Sequence, residues 1–252
     1  MKKLSLLLLS STLVLVGCHS TSKDERYNNM SPNEIYELGT KHVKKKNYAE
    51  AVEDFEALES RYPFGEYADK AQLGAIYAYY ENEDYTAALP AVERFIRMYP
   101  RHPNVDYAYY MKGLCHYSEA HGFLTKYMPM ERDERDTTFA KKGIQAVHYL
   151  TVNYPDSIYT PDAKQRMVYL RNLLAKSELV AARFYFKKGA YLAAANRASN
   201  VISQYDRSPS MSEALYIMVK SYRKLELYEL ADDSQRVLAL NYPDSIYLEK
   251  LG

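Results

Sequence analysis

Along most of the chain, apolar side chains recur at three- and four-residue intervals, the period of one helix face, and the stretches they form end alike. Tyr62-Pro63, Tyr99-Pro100, Tyr154-Pro155, Tyr205-Asp206 and Tyr242-Pro243 close five comparable segments, with their tyrosines 37, 55, 51 and 37 residues apart. With 37 as the unit, the middle two segments carry 18 and 14 additional residues, so the array is regular at its ends and embellished in its centre. Fourteen residues before each closing tyrosine stand Tyr48, Tyr85, Ala140, Tyr191 and Tyr228, and three residues later Ala51, Ala88, Gly143, Ala194 and Ala231. Four residues before it stand Leu58, Phe95, Leu150, Val201 and Leu238. A small residue where two helices cross, large apolar residues one and two turns on, and a proline that stops the second helix describe a helical hairpin. The fourth segment has Asp206 in place of the closing proline, and Pro209 is the nearest substitute for the stop.

The embellishments have their own patterns. Asp162 to Gly189 keeps helical period without a breaker and predicts one long helix, able to join two halves of the array. Gly122 to Thr137 lacks the period and contains Glu131-Arg132-Asp133-Glu134-Arg135-Asp136, a run of alternating sign. Such runs are most often solvated or salt-bridged surface; in an insertion between regular units, Arg132 and Arg135 are equally candidates for contact with a partner. A hairpin of this size cannot bury its apolar face alone. The units are therefore expected to stack into an all-α, right-handed solenoid of about five hairpins, with amino-terminal repeats over 31–160, an insertion near 121–137 and carboxyl-terminal repeats over 161–252. Function is expected in the groove of the stack, in the insertions or at its ends.

The amino terminus is an address before it is structure. Met1-Lys2-Lys3 is a basic start, Leu4 to Val16 is apolar but shorter than the roughly 20 residues a membrane span requires, and Leu15-Val16-Gly17-Cys18 ends it. That ending resembles a lipobox. In the bacterial lipoprotein pattern, residues 1–17 are removed and Cys18 becomes a lipidated amino terminus; His19, where an aspartate would mark inner-membrane retention, favours the outer membrane. Residues 18–30 are expected as a polar tether.

Composition supports helix and removes several functions. Nine glycines in 252 residues leave little room for phosphate-cradling loops, and stretches rich in Ala, Leu, Glu, Lys and Tyr favour helix over sheet. Loss of Lys2 and Lys3 with the leader leaves 31 basic against 32 acidic side chains, without the basic footprint of a nucleic-acid binder. With Cys18 acylated, Cys115 is a single thiol in an apolar stretch and is expected to pack as a small core residue. His116 and His121, five apart on a helix, point about 140° from each other and cannot share a metal as an i, i+4 pair does. There is no Gly-x-Ser-x-Gly, Walker loop or Cys-x-x-Cys, so neither catalytic residues nor a cofactor nor a metal is expected. The 27 tyrosines exceed what the repeat columns use; Tyr77, Tyr79, Tyr80, Tyr107, Tyr109 and Tyr110 fall on consecutive first helices. A flat apolar ring with a polar tip suits an extended peptide, and the same ring is often simply packed with its hydroxyl satisfied.

The first unit, with Ile35, Leu38-Gly39, Tyr48, Ala51, Phe55, Leu58 and Pro63, resembles the tetratricopeptide repeat. Arg61-Tyr62-Pro63-Phe64-Gly65, Ile76-Tyr77-Ala78-Tyr79-Tyr80, Arg94-Phe95-Ile96-Arg97, His102-Pro103-Asn104 with Asp106-Tyr107, Met111-Lys112-Gly113-Leu114 and the Arg132 to Asp136 run resemble more narrowly the lipoproteins of the outer-membrane β-barrel assembly machine. The likeness covers the body, is most specific from Asn33 to Leu114 and weakens after about Pro209. It implies a non-enzymatic scaffold, lipid-anchored in the outer membrane and facing the periplasm. Its implied partners are the periplasmic domains of the barrel-forming subunit, smaller assembly lipoproteins and unfolded outer-membrane proteins. It also implies substrate contact in the amino-terminal repeats, at Tyr62, Phe64, Tyr77, Tyr79 and Tyr80, and partner contact in the carboxyl half, at Arg197. Repeat architecture alone leaves open a lipid-anchored adaptor for another envelope task, such as tethering a cell-wall enzyme.

Overall fold

The computed structural model describes residues 25–121 and 137–251. Cys18, most of the tether, and Arg132 and Arg135 lie outside the described residues. Within them the fold is all-helical. Eleven helices follow one another: α1 (Pro32–Lys44), α2 (Tyr48–Arg61), α3 (Ala68–Glu81), α4 (Tyr85–Met98), α5 (Val105–His121), α6 (Thr138–Asn153), α7 (Thr160–Lys187), α8 (Tyr191–Gln204), α9 (Met211–Lys224), α10 (Tyr228–Asn241) and the short α11 (Ile246–Glu249). Each packs on the next, and α1 on α3, α3 on α5, α5 on α7 and α7 on α9, so five hairpins form one continuous stack. The core runs along it as four clusters of buried residues instead of one centre, as a quasi-one-dimensional fold requires. No helix among the described residues is long and apolar enough to cross a membrane.

The repeat columns have separate physical tasks. Ala51, Ala88, Ala194 and Ala231 are fully buried, and a Cβ at Gly143 would lie 3.1 Å from Leu170 Cδ1, which identifies this column as the crossing point of neighbouring helices. Leu58, Phe95, Leu150, Val201 and Leu238 are fully buried as well. The carbonyls of these same residues accept the backbone N–H of the closing tyrosines, Tyr62, Tyr99, Tyr154, Tyr205 and Tyr242, which have left helical conformation. Tyr205 does this with Asp206 behind it, so the helix stop belongs to the tyrosine position and proline is dispensable there.

The turns inside the hairpins repeat too. Lys46, Glu83, Gly189 and Glu226 all adopt positive φ, from 59° to 77°. The residue after each donates its N–H back to the carbonyl of His42, Tyr79, Tyr185 or Tyr222, which is the Schellman ending of a helix. At the front of the stack, Ser31 and Glu34 form a reciprocal capping box on α1 with Pro32 in the first turn. The long helix expected from Asp162 to Gly189 is α7, of 28 residues.

One boundary differs from expectation. Residues expected to belong to the tether are docked on the first hairpin: Tyr27 is buried, its hydroxyl donates to Asp54 Oδ1 at 2.8 Å, and Arg26 stands 3.5 Å from the same carboxylate. Asp54, on α2, is fully buried and also meets His42 Nδ1 at 2.6 Å, so its partners come from α1 and the incoming segment. A polar composition reads as linker in sequence, but a buried carboxylate needs partners, and this segment supplies two of them.

Candidate functional site

A groove of about 430 Å³ runs along the first helices of the first three hairpins. Its wall is built by Tyr36, Thr40 and Val43 of α1, Lys70, Leu73 and Tyr77 of α3, and Tyr107 of α5, with Phe55 of α2 as floor and Tyr159 at the far end. The aromatic rings are set by one another. Tyr36 packs on Phe55 at 6.0 Å and on Tyr67 at 5.4 Å; Tyr77 meets the edge of Tyr48 at 6.3 Å; Tyr159 lies 5.4 Å from Tyr107 and stacks on Tyr110 at 4.8 Å. Burial raises the hydroxyl pKa of Tyr77 and Tyr107, so both stay neutral donors at physiological pH. Lys70 provides the cation at this site, with Nζ 4.7 Å above the Tyr67 ring and 3.5 Å from Glu66. The arrangement offers rigid apolar faces edged with hydroxyls, suited to holding an extended chain by its side chains.

The expected substrate-side residues separate here. Tyr77 lines the groove. Tyr79 turns the other way, its hydroxyl bonded to Glu56 of α2, and Tyr80 packs on Tyr85 at 5.7 Å and reaches Ser118 Oγ at 3.4 Å. Tyr62 is part of the first hairpin's core and donates to the Met30 carbonyl at 3.1 Å. Phe64, in the loop between α2 and α3, is 90% exposed. In the carboxyl half, Arg197 of α8 bonds both carboxylate oxygens of Glu178 on α7, at 3.2 and 3.4 Å, a contact that raises its pKa further. Tyr107, one of the six tyrosines grouped on the first helices, lines the groove, and Tyr36, Lys70 and Tyr159 join it from outside that group. The 37-residue offset that exposes the core columns reaches two of these three: Tyr36 falls with Leu73 and Lys70 with Tyr107, as Thr40 falls with Tyr77.

Between the hairpins the chemistry is structural. Cys115 is fully buried and its thiol is pushed up to about 12 by desolvation, which leaves it protonated and inert. His116 is buried next to it, with Nδ1 3.2 Å from Glu119, and burial holds its pKa below the ordinary imidazole value. The His121 side chain lies outside the description. Elsewhere the loops are fastened to the first turns: His102 lies 2.9 Å from Asp69, and Ser157 donates to Asp106 at 2.7 Å.

The described residues thus form a stack of hairpins with an aromatic groove along its first helices. Residues 28–238 match the model of the YfiO outer membrane lipoprotein family. The chain belongs to that family. Relatives agree over almost the whole length. The chain is 39% identical to the outer membrane protein assembly factor BamD of Neisseria gonorrhoeae, across 98% of this chain and 94% of that one. It is 35% identical to the factor of the same name from Haemophilus influenzae, across 94% and 90%, and 33% identical to that of Vibrio cholerae, across 90% and 94%. The match begins within the docked segment and ends within α10, so the family likeness spans all five hairpins.

Proposed function

We propose that this chain is a lipid-anchored scaffold subunit of the outer-membrane β-barrel assembly machine, working by binding and not by turnover. Cys18 carries the anchor, the body faces the periplasm, and the stack offers separate surfaces for unfolded outer-membrane proteins and for the resident subunits. The observation that carries this reading is the near full-length likeness to relatives named as outer membrane protein assembly factors. The aromatic groove along α1, α3 and α5 supports it, because an unfolded barrel strand is an extended segment with aromatic side chains at alternate positions and needs a receptor that tolerates sequence. In this reading Tyr77 contacts substrate within the groove, and Phe64, exposed in the loop between α2 and α3, contacts it or another subunit. Arg197, held straight by Glu178, faces the barrel-forming subunit, and Arg132 and Arg135 contact a smaller lipoprotein.

Depletion of the protein in cells tests this directly. The expected result is a fall in folded, heat-modifiable barrel proteins in the outer membrane while their unfolded forms accumulate. Unchanged barrel protein with an altered cell wall would instead point to an adaptor for another envelope task.

A further inference from the structure

The second helices of the five hairpins differ sharply in charge. At the ends of the stack they are acidic: α2 carries Glu50, Glu53, Asp54, Glu56 and Glu59, and α10 carries Glu229, Asp232 and Asp233. Towards the middle, α6 and α8 contain no acidic residue; α6 holds Lys141, Lys142 and His148, and α8 holds Arg197. Lys141, Lys142 and His148 thus stand on a helix with no acidic residue of its own, while Arg197 of α8 is matched by Glu178 of α7.

Two grooves flank α6 on the side away from the aromatic one. The smaller, about 480 Å³, lies between α4 and α6, and its Lys112 is already matched by Glu93 at 2.9 Å. The larger, about 720 Å³, lies between α6 and α8 over α7. Met167 and Val168, the latter 45% exposed, present an apolar strip there, and Lys141, His148 and Arg171 surround it with Asp206 as the acidic residue of the lining. Among the described residues, Arg171 donates to the Arg207 carbonyl at 3.4 Å, and its buried Nε has no hydrogen-bond partner. The outer guanidinium nitrogens of Arg171 stay at the surface beside the apolar strip, so an occupant that brings both carboxylates and apolar side chains matches the lining in kind.

We propose that the groove between α6 and α8 docks an acidic segment of a partner protein, with its apolar side chains over Met167 and Val168 and its carboxylates against Lys141, His148 and Arg171. Charge complementarity selects the occupant, and this surface is separate from the aromatic groove, so two ligands of different chemistry are held at once. The smaller groove extends the same face toward α4.

Fluorescence anisotropy of the full chain with a labelled synthetic peptide of alternating Glu and Leu tests the proposal, with a Lys and Leu peptide of equal length as the comparison. The acidic peptide is expected to bind, more weakly at higher salt, and the paired change Lys141→Glu with His148→Glu should weaken it about tenfold or more, a loss of ~1.4 kcal/mol or more. Both side chains are exposed, so the pair leaves the core intact. Val168→Asp should do the same, while Lys70→Glu in the aromatic groove leaves binding unchanged. The proposal is overturned by equal binding in the paired variant, or by equal binding of the basic peptide. It is also overturned if the paired variant chiefly abolishes self-association through the acidic α10 of a second copy, or recruitment to phosphatidylglycerol vesicles.

Discussion

Phe55 shows how strictly single positions are set. Its ring is wedged between two glycines on neighbouring first helices: a Cβ at Gly39 would lie 2.8 Å from Phe55 Cε1, and one at Gly74 would lie 2.7 Å from Cζ. Gly74→Ala is therefore expected to cost about 1–3 kcal/mol through overpacking, measured by urea denaturation, and combination with Phe55→Leu should recover part of the loss. His116 gives a pH dependence with a definite sign. Its folded pKa is depressed by burial, against the opposing pull of Glu119 and with Lys112 and Lys142 also disfavouring its charge. Below about pH 6.5 the unfolded chain takes up a proton that the folded chain resists, so this contribution to stability is present at neutral pH and lost as pH falls. The denaturation midpoint of the wild type should fall between neutral and mildly acid pH more steeply than that of His116→Gln; parallel curves would contradict the assignment. Cys115 and the alanine column were legible as packing residues from their apolar surroundings. The Phe55 wedge was not: Gly39 was visible as part of a repeat pattern, while Gly74 stands outside the 37-residue columns and meets Phe55 only in three dimensions.

At the scale of elements, the sequence pattern located helices well and explained their ends less well. The five second helices and the long α7 follow from spacing alone, since apolar period and small-residue columns are local properties. The stops were attributed to proline, yet Tyr205 ends α8 without one by the same backbone bond to Val201. Of the inner turns, the one at Gly189 was legible and the other three were not, because Lys46, Glu83 and Glu226 stand where glycine is favoured, and nothing in those residue types announces positive φ. That disagreement gives a prediction. Glu226→Gly should stabilise the protein by about 0.5–1 kcal/mol, the relief of left-handed strain less the added freedom of the unfolded chain, with an increase in the thermal midpoint as readout. Loss of stability would mean that the Glu226 side chain has a task of its own. The docked segment from Glu25 was misplaced for a related reason: polar residues read as linker until the buried Asp54 they serve is seen.

For the whole molecule, a stack of hairpins keeps distant surfaces separate, and function follows from which faces its ligands occupy. Aromatic residues line the first helices of the amino-terminal hairpins, while the second helices change from acidic to basic to acidic along the stack. Membership of the outer membrane lipoprotein family was legible in short motifs concentrated between Asn33 and Leu114, where the groove is built. Which tyrosines line it was not, because neighbours on one helix such as Tyr77, Tyr79 and Tyr80 point to different sides, and only packing against α2 and α5 decides which. In the proposed arrangement, unfolded barrel proteins bind the aromatic groove of the amino-terminal hairpins and the resident barrel subunit binds the carboxyl-terminal hairpins. Photocrosslinking in intact cells, from Tyr77 in the groove and from Leu240 exposed on α10, with the trapped proteins identified by mass, reads this arrangement out. Newly made outer-membrane barrel proteins are expected at Tyr77 and one resident barrel subunit at Leu240; the same partner at both positions, or no barrel protein at either, would overturn the arrangement.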